Sequence, residues 1–268
     1  MHPRTRAVFD NARREGRAAL IGYLPAGFPT VDGSVQLIRS LLDGGVDLVE
    51  VGLPYSDPLM DGPAIQQAVE TALAAGVTTS DVLRVVEQIQ PDDSQAVVVM
   101  SYWNPIERYG QLRFAQDLNA AGGSGVITPD LIPEEAAEWI AATDAVGIDR
   151  TFLVAPSSTD ARIDRVSSAC TGFVYAASTM GVTGAREQVS SAAPELVARV
   201  RPHTDAPIGV GLGVSNGRQA ADIAAYADGV IVGSAFVRRI LDAQNLAEAT
   251  SSVRELASEL AAGVRAPG

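Results

Sequence analysis

The segment Val49–Pro63, VEVGLPYSDPLMDGP, brings Glu50, Asp57 and Asp61 close together in the chain. Glu50 interrupts an apolar run of Leu48, Val49, Val51 and Gly52 that reads as a buried strand. An isolated charge in such a place is costly, so the carboxylate must be paired or point into a site. Burial raises a carboxyl pKa and can make it a general acid or base near neutrality. A satisfied structural glutamate is the alternative. Asp57 and Asp61 lie in the following loop, whose path is set by Pro54, Pro58, Gly62 and Pro63. Each aspartate can form a turn. Asp61 can also cap a helix that starts near Pro63, since proline favours the first helical turn. A metal site of Glu50, Asp57, Asp61 and Asp130 is a further alternative, but it has no distinctive ligand spacing.

A second chemical signal lies near the end of the chain. Gly209–Gly217, GVGLGVSNG, and Gly229–Ala235, GVIVGSA, are glycine-rich turns that follow or contain apolar runs. Glycine lets backbone N–H groups approach a ligand, and a helix N-terminus adds partial positive charge. Together they predict a phosphate site held by N–H groups, serine hydroxyls and arginine. A third segment, YAASTMGVTGAR from Tyr175 to Arg186, is small and flexible in composition. It reads as a lid over a phosphorylated substrate or as an ordinary surface loop. Tyr175 itself can be plain core.

Composition excludes several chemistries. The 268 residues contain no lysine, so all 20 basic residues are arginine. A Schiff-base aldolase, a PLP enzyme and a P-loop nucleotide binder all need a lysine that this chain lacks. His2 and His203 are too few for a histidine-rich zinc site, and Cys170 alone cannot make an internal disulfide. One cysteine suits a reducing cytoplasm. A net charge of −12 argues against nucleic acid and anionic membranes as partners. No apolar run is long enough to span a membrane, and the first residues carry no secretory h-region.

The elements that must position these groups alternate in type. Apolar runs occur at Ala19–Tyr23, Leu48–Gly52, Ala96–Tyr102, Gly125–Thr128, Thr151–Ala155, Phe173–Ala177, Pro207–Gly211 and Gly229–Gly233. Continuous apolar runs such as VVVM mark strands buried on both faces, as in parallel sheets. Helical stripes lie between them, for example Val35, Leu37, Ile38, Leu41 and Leu42. Eight strand–helix units predict a (β/α)8 TIM barrel over residues 1–268 as a single domain. A doubly wound sheet is the alternative, but no G-x-G-x-x-G follows the first strand. Thr30, Thr159 and Asn216 are expected helix caps, and an extra N-terminal helix is expected over Arg4–Arg14. In a barrel, chemistry sits at the C-terminal ends of the strands.

The chain resembles the alpha subunit family of tryptophan synthase in GYLPAGFPT (22–30), DLVEVGLPYSDPLMDGPAIQ (47–66), SYWNPIERYG (101–110), ITPDLIPEEA (127–136), FLVAPSSTDARI (152–163), GFVYAASTMGVTGAR (172–186) and GVIVGSAFV (229–237). The pieces run in order over nearly the whole chain, and E-x-G-x-P-x-S-D-P-x-x-D-G-P is highly specific. Departures are mild: Ile132 replaces a common proline, and Leu212 stands in a GLG where G-F-G is frequent. The resemblance implies a lyase that cleaves indole-3-glycerol phosphate to indole and glyceraldehyde 3-phosphate. It implies Glu50 as the acid/base at ring carbon C3 and the glycerol hydroxyl, Asp61 as acceptor for the indole nitrogen, and Tyr175 as their support. Gly184, Gly213, Gly233 and Ser234 match phosphate-binding positions. Tyr23, Met100, Ile127, Leu153, Leu212 and Val232 are the expected apolar walls for indole. Thr183 matches a lid residue, and Asp57 lies in the loop expected at a partner interface. The implied partner is a PLP-dependent beta subunit in an alpha2-beta2 complex, with no cofactor in this chain. Another phosphosugar-binding barrel enzyme and a purely regulatory subunit remain the competing readings. The first leaves the Glu50–Asp61 motif unexplained.

Overall fold

The computed structural model describes residues 4–177, 192–211 and 213–266. The chain opens with α1 (Arg4–Arg14), β1 (Ala19–Pro25), α2 (Val31–Asp43), β2 (Leu48–Gly52), α3 (Pro63–Ala74) and α4 (Thr79–Ile89). It continues through β3 (Ala96–Met100), α5 (Trp103–Tyr109), α6 (Gln111–Ala120), β4 (Gly125–Ile127), α7 (Ala137–Val146), β5 (Asp149–Thr151) and β6 (Leu153–Val154). Then come α8 (Asp160–Ala169), β7 (Val174–Ala177), α9 (Ala192–Val200), β8 (Ile208–Gly211), α10 (Gly217–Ala224), β9 (Gly229–Val232), α11 (Ser234–Asp242) and α12 (Leu246–Arg265).

All the strands pair in parallel, in the order β5-β4-β3-β2-β1-β9-β8-β7-β6. The two ends of this order are consecutive in sequence. β5 pairs with β4, β6 pairs with β7, and Phe152 alone joins them. The chain therefore closes the sheet into a barrel through its fifth strand. The expected single strand over Thr151–Ala155 is in fact two pieces that start earlier, at Asp149. At the break, the N–H of Phe152 donates to the distant Cys170 Sγ at 3.3 Å instead of entering the ladder.

The strand residues alternate between two cores, as a pleated backbone requires. Ala19, Ile21, Leu48, Ala96, Val98, Ile127, Phe173 and Ile231 pack inside the barrel. Leu20, Val49, Val51, Val97, Val99, Val126, Val174, Val210 and Val230 pack outward among the helices. The amphipathic α1 sends Val8, Phe9 and Ala12 into the barrel floor, where the Phe9 and Phe173 rings lie 5.3 Å apart. Its closing residues, Arg13 and Arg14, suit the negative end of a helix dipole.

The expected caps form. Thr30, Thr159 and Asn216 side chains accept from the N–H groups of Gly33, Arg162 and Gln219. Among the described residues, no helix is long and apolar enough to cross a membrane.

Candidate active site

The inward positions at the C-terminal ends of the strands converge on one mouth. Glu50 is central on β2, beside Tyr23 of β1 and Val98 of β3 in register. It is 1% exposed, and its Oε1 is buried without a hydrogen-bond partner. Burial pushes its carboxyl up from an ordinary 4.5 to about 8. A group of that kind holds its proton at neutral pH and can give it away, which is what an acid/base at carbon requires.

Two tyrosines flank it, and each depends on a glycine of the next strand. A Cβ at Gly52 would meet the Tyr23 hydroxyl at 2.4 Å, and one at Gly211 would meet the Tyr175 hydroxyl at 2.5 Å. Both rings therefore lean across a neighbouring strand where only glycine leaves room. Burial raises both phenols well above their ordinary value, and the Glu50 charge adds to the effect on each. Met100, Ile127 and Leu153 share the inner face with Tyr175.

Asp61 does not cap the helix that follows. The residue at the head of α3 is Gly62, which makes no side-chain cap, and Pro63 opens the first turn. The Asp61 carboxylate instead accepts from the Tyr102 hydroxyl at 3.0 Å. Burial raises its pKa, while that hydrogen bond lowers it. The same tyrosine oxygen accepts from the N–H groups of Leu59 at 3.1 Å and Met60 at 3.0 Å. Tyr102 lies in the segment SYWNPIERYG (101–110), and its role is not evident from the sequence. The one available signal was an aromatic residue with a polar tip just past a strand.

Val232 is a correction. It pairs in register with Gly22, whose missing Cβ would face Leu41, Val46 and Phe236 on the helix side. Registered neighbours of parallel strands point the same way, so Val232 faces the helices and not the indole pocket. Its neighbour Ile231, 4% exposed, lies inside the barrel instead.

After β9, the strand next to β1, Gly233 stands just before α11, and Ser234 is its buried first residue. Gly213 takes a left-handed φ of 69°, which favours glycine. Gly233 and Ser234 thus stand at the N-terminus of α11, where backbone N–H groups carry partial positive charge. Thr183, Gly184 and Leu212 lie outside the described residues.

Asp57 sits in the exposed part of the loop after β2, where Ser56 Oγ donates to it at 2.5 Å, and Leu59 beside it is 73% exposed. Asp130 accepts from the N–H of Trp103 at 2.9 Å. The suggested Glu50–Asp57–Asp61–Asp130 metal cluster is not assembled: among the described residues, no three His, Cys, Asp or Glu side chains come together to hold an ion.

Comparison with known proteins places this geometry in a family. The model of the tryptophan synthase alpha chain family matches residues 9–265. The tryptophan synthase alpha chain of Thermobifida fusca is 61% identical over 264 residues, with 97% of each chain covered. That of Salinispora tropica is 59% identical over 260 residues, again with 97% of each chain covered. The solved tryptophan synthase of Mycobacterium tuberculosis superposes with a TM-score of 0.92 at 56% identity, covering 99% of each chain.

Proposed function

The chain belongs to the tryptophan synthase alpha chain family, and we propose that Glu50 and Asp61 perform its cleavage chemistry. The activity is a lyase reaction of tryptophan biosynthesis: indole-3-glycerol phosphate gives indole and glyceraldehyde 3-phosphate. It is a retro-aldol step, so the breaking C–C bond needs an electron sink. A lysine imine is impossible in a chain without lysine. The indole ring is its own sink once C3 is protonated.

Glu50 gives its proton to C3, and the ring becomes an indolenine with positive charge at nitrogen. Asp61 accepts the N–H as that charge develops, which is electrostatic stabilisation aimed at the transition state. The carboxylate of Glu50 then takes the proton of the glycerol hydroxyl. The C–C bond breaks, its electron pair restores the aromatic ring, and the oxygen becomes the aldehyde. Glu50 ends protonated, as it began. Tyr23 and Tyr175 wall the pair, with Met100, Ile127, Leu153 and Ile231 as the apolar lining for indole. Gly213, Gly233 and Ser234 take the phosphate, with Gly184 assigned to the same group by its motif.

The observation that carries this reading is Glu50: a carboxyl 1% exposed and raised to about 8, beside Tyr23, which also feels the Asp61 charge. As an alpha chain the protein works in an alpha–beta complex. The finer reading is an alpha2-beta2 assembly with a PLP-dependent beta subunit that takes up the indole. The exposed loop with Asp57, and the segment with Thr183, would lie at its interface. A single-domain, cytoplasmic enzyme fits this reading. The test is to incubate the pure chain with indole-3-glycerol phosphate and measure indole, with and without a beta subunit. Slow release that the partner accelerates supports both parts of the reading, while no indole in either case refutes the cleavage.

A further inference from the structure

Tyr102 follows β3 at the mouth of the barrel and is 6% exposed. Its hydroxyl makes three hydrogen bonds: to Asp61 Oδ1, and from the N–H groups of Leu59 and Met60. A phenol hydroxyl has one proton and two lone pairs. The two backbone N–H groups can only donate, so they occupy the oxygen's acceptor side. The one proton must then point at the carboxylate, and the rotor has no other choice.

The residue is braced on both sides. Its ring packs on Tyr55 with centroids 5.3 Å apart, and Asn104 donates to the Tyr55 hydroxyl at 3.4 Å. The next residue, Trp103, is tied through its N–H to Asp130 in the loop after β4. The loop after β2 is thus bonded to the Tyr102 hydroxyl, and the loop after β4 to the backbone of the residue that follows it.

We propose that Tyr102 is a positioning residue for the lyase reaction: its proton fixes Asp61 Oδ1, which leaves Oδ2 for the indole N–H, and its lone pairs lock the 59–61 backbone so that the carboxylate cannot swing away. This inference rests on the reading of Asp61 given above. A carboxylate aimed in advance costs no reorganisation when charge develops at the nitrogen. The hydrogen bond also favours the ionised carboxylate against the burial that opposes it. Among the described residues, Tyr23 on β1 is the other titratable group that feels the Asp61 charge, and Tyr23 in turn lies near Glu50 on β2 and Tyr175 on β7.

The test is Tyr102→Phe, which keeps the ring and removes only the oxygen. Losing a hydrogen bond to a charged group should lower kcat by about tenfold to a hundredfold, with KM for indole-3-glycerol phosphate unchanged. The acid limb of the kcat/KM profile should move to higher pH, because Asp61 must be ionised to accept and now lacks the bond that lowers its pKa. A residue that merely supported the fold would lower the melting temperature and leave that limb in place. A second measurement needs no variant. In the wild-type chain, a 13C label on the Tyr102 ring should report the Asp61 titration through the shared hydrogen bond. An unmoved acid limb in Tyr102→Phe, or a Tyr102 signal that stays flat while Asp61 titrates, overturns the proposal. Asp61→Asn separates the two failures. If it stays fully active, the reading of Asp61 itself falls. If it is inactive while Tyr102→Phe keeps a wild-type profile, only the positioning role falls.

Discussion

Glu50→Gln tests the chemistry and the physics of the site together. The carboxyl goes from an ordinary 4.5 in the unfolded chain to about 8 in the fold. Between those values the folded chain holds one proton that the unfolded chain has released. Raising the pH through this window therefore favours unfolding. The slope is about 1.4 kcal/mol per pH unit for one proton. Across the whole window Glu50 alone removes roughly 3–5 kcal/mol of stability, which is fully lost only above the folded pKa. Glutamine cannot ionise, so the variant lacks this slope. It carries any fixed cost of its buried amide equally at every pH. The assay is urea unfolding of both proteins at pH 5 and pH 9, with indole release measured on the same samples. The expected result is that the variant gains about 3–5 kcal/mol on wild type between the two conditions and loses cleavage. Parallel stability curves would refute a buried, proton-holding Glu50. Near-normal turnover in the variant would refute its role at C3.

Other perturbations separate the remaining parts. Asp61→Asn should lower kcat by about a hundredfold or more, the scale seen when one electrostatic group of a site is removed, and steady-state kinetics will show it. Asp57 lies in solvent, so Asp57→Ala should leave intrinsic cleavage intact and weaken stimulation by a beta subunit, read as the ratio of rates with and without that partner. Gly211→Ala would place a methyl 2.5 Å from the Tyr175 hydroxyl. The ring must shift, so stability should fall by about 1–3 kcal/mol in a melt, together with activity.

The barrel was legible because its signals are local. A run of apolar residues buried on both faces reads the same wherever its neighbours lie, so Leu48–Gly52 matches its strand residue for residue. Thr30, Thr159 and Asn216 cap their helices because each accepts from an N–H three residues on. α1 was legible as a helix over Arg4–Arg14. Its place in the barrel floor was not, because that follows from where Phe173 stands across the interior. The fifth strand shows the same limit. Its break at Phe152 depends on Cys170, a residue 18 positions away, and no pattern within the strand encodes it.

The site divides along the same line. Glu50 was legible because a carboxylate in an apolar run is anomalous wherever the run folds. The wall residues required a parity, and parity is decided by closure of the sheet. A one-residue shift along a strand exchanges its two faces, and for that reason Val232 and Ile231 trade places between pocket and helix layer. Tyr102 was the least legible, since its hydroxyl acts on a loop some 40 residues earlier in the chain. Sequence names the groups whose chemistry is anomalous where they stand. It does not name the groups that aim them, because aiming is a contact between loops that only the closed barrel brings together. In this chain the acid is fixed by its strand and the acceptor by its neighbour's hydroxyl. The first is a property of Leu48–Gly52 alone, and the second exists only when β2 and β3 lie side by side.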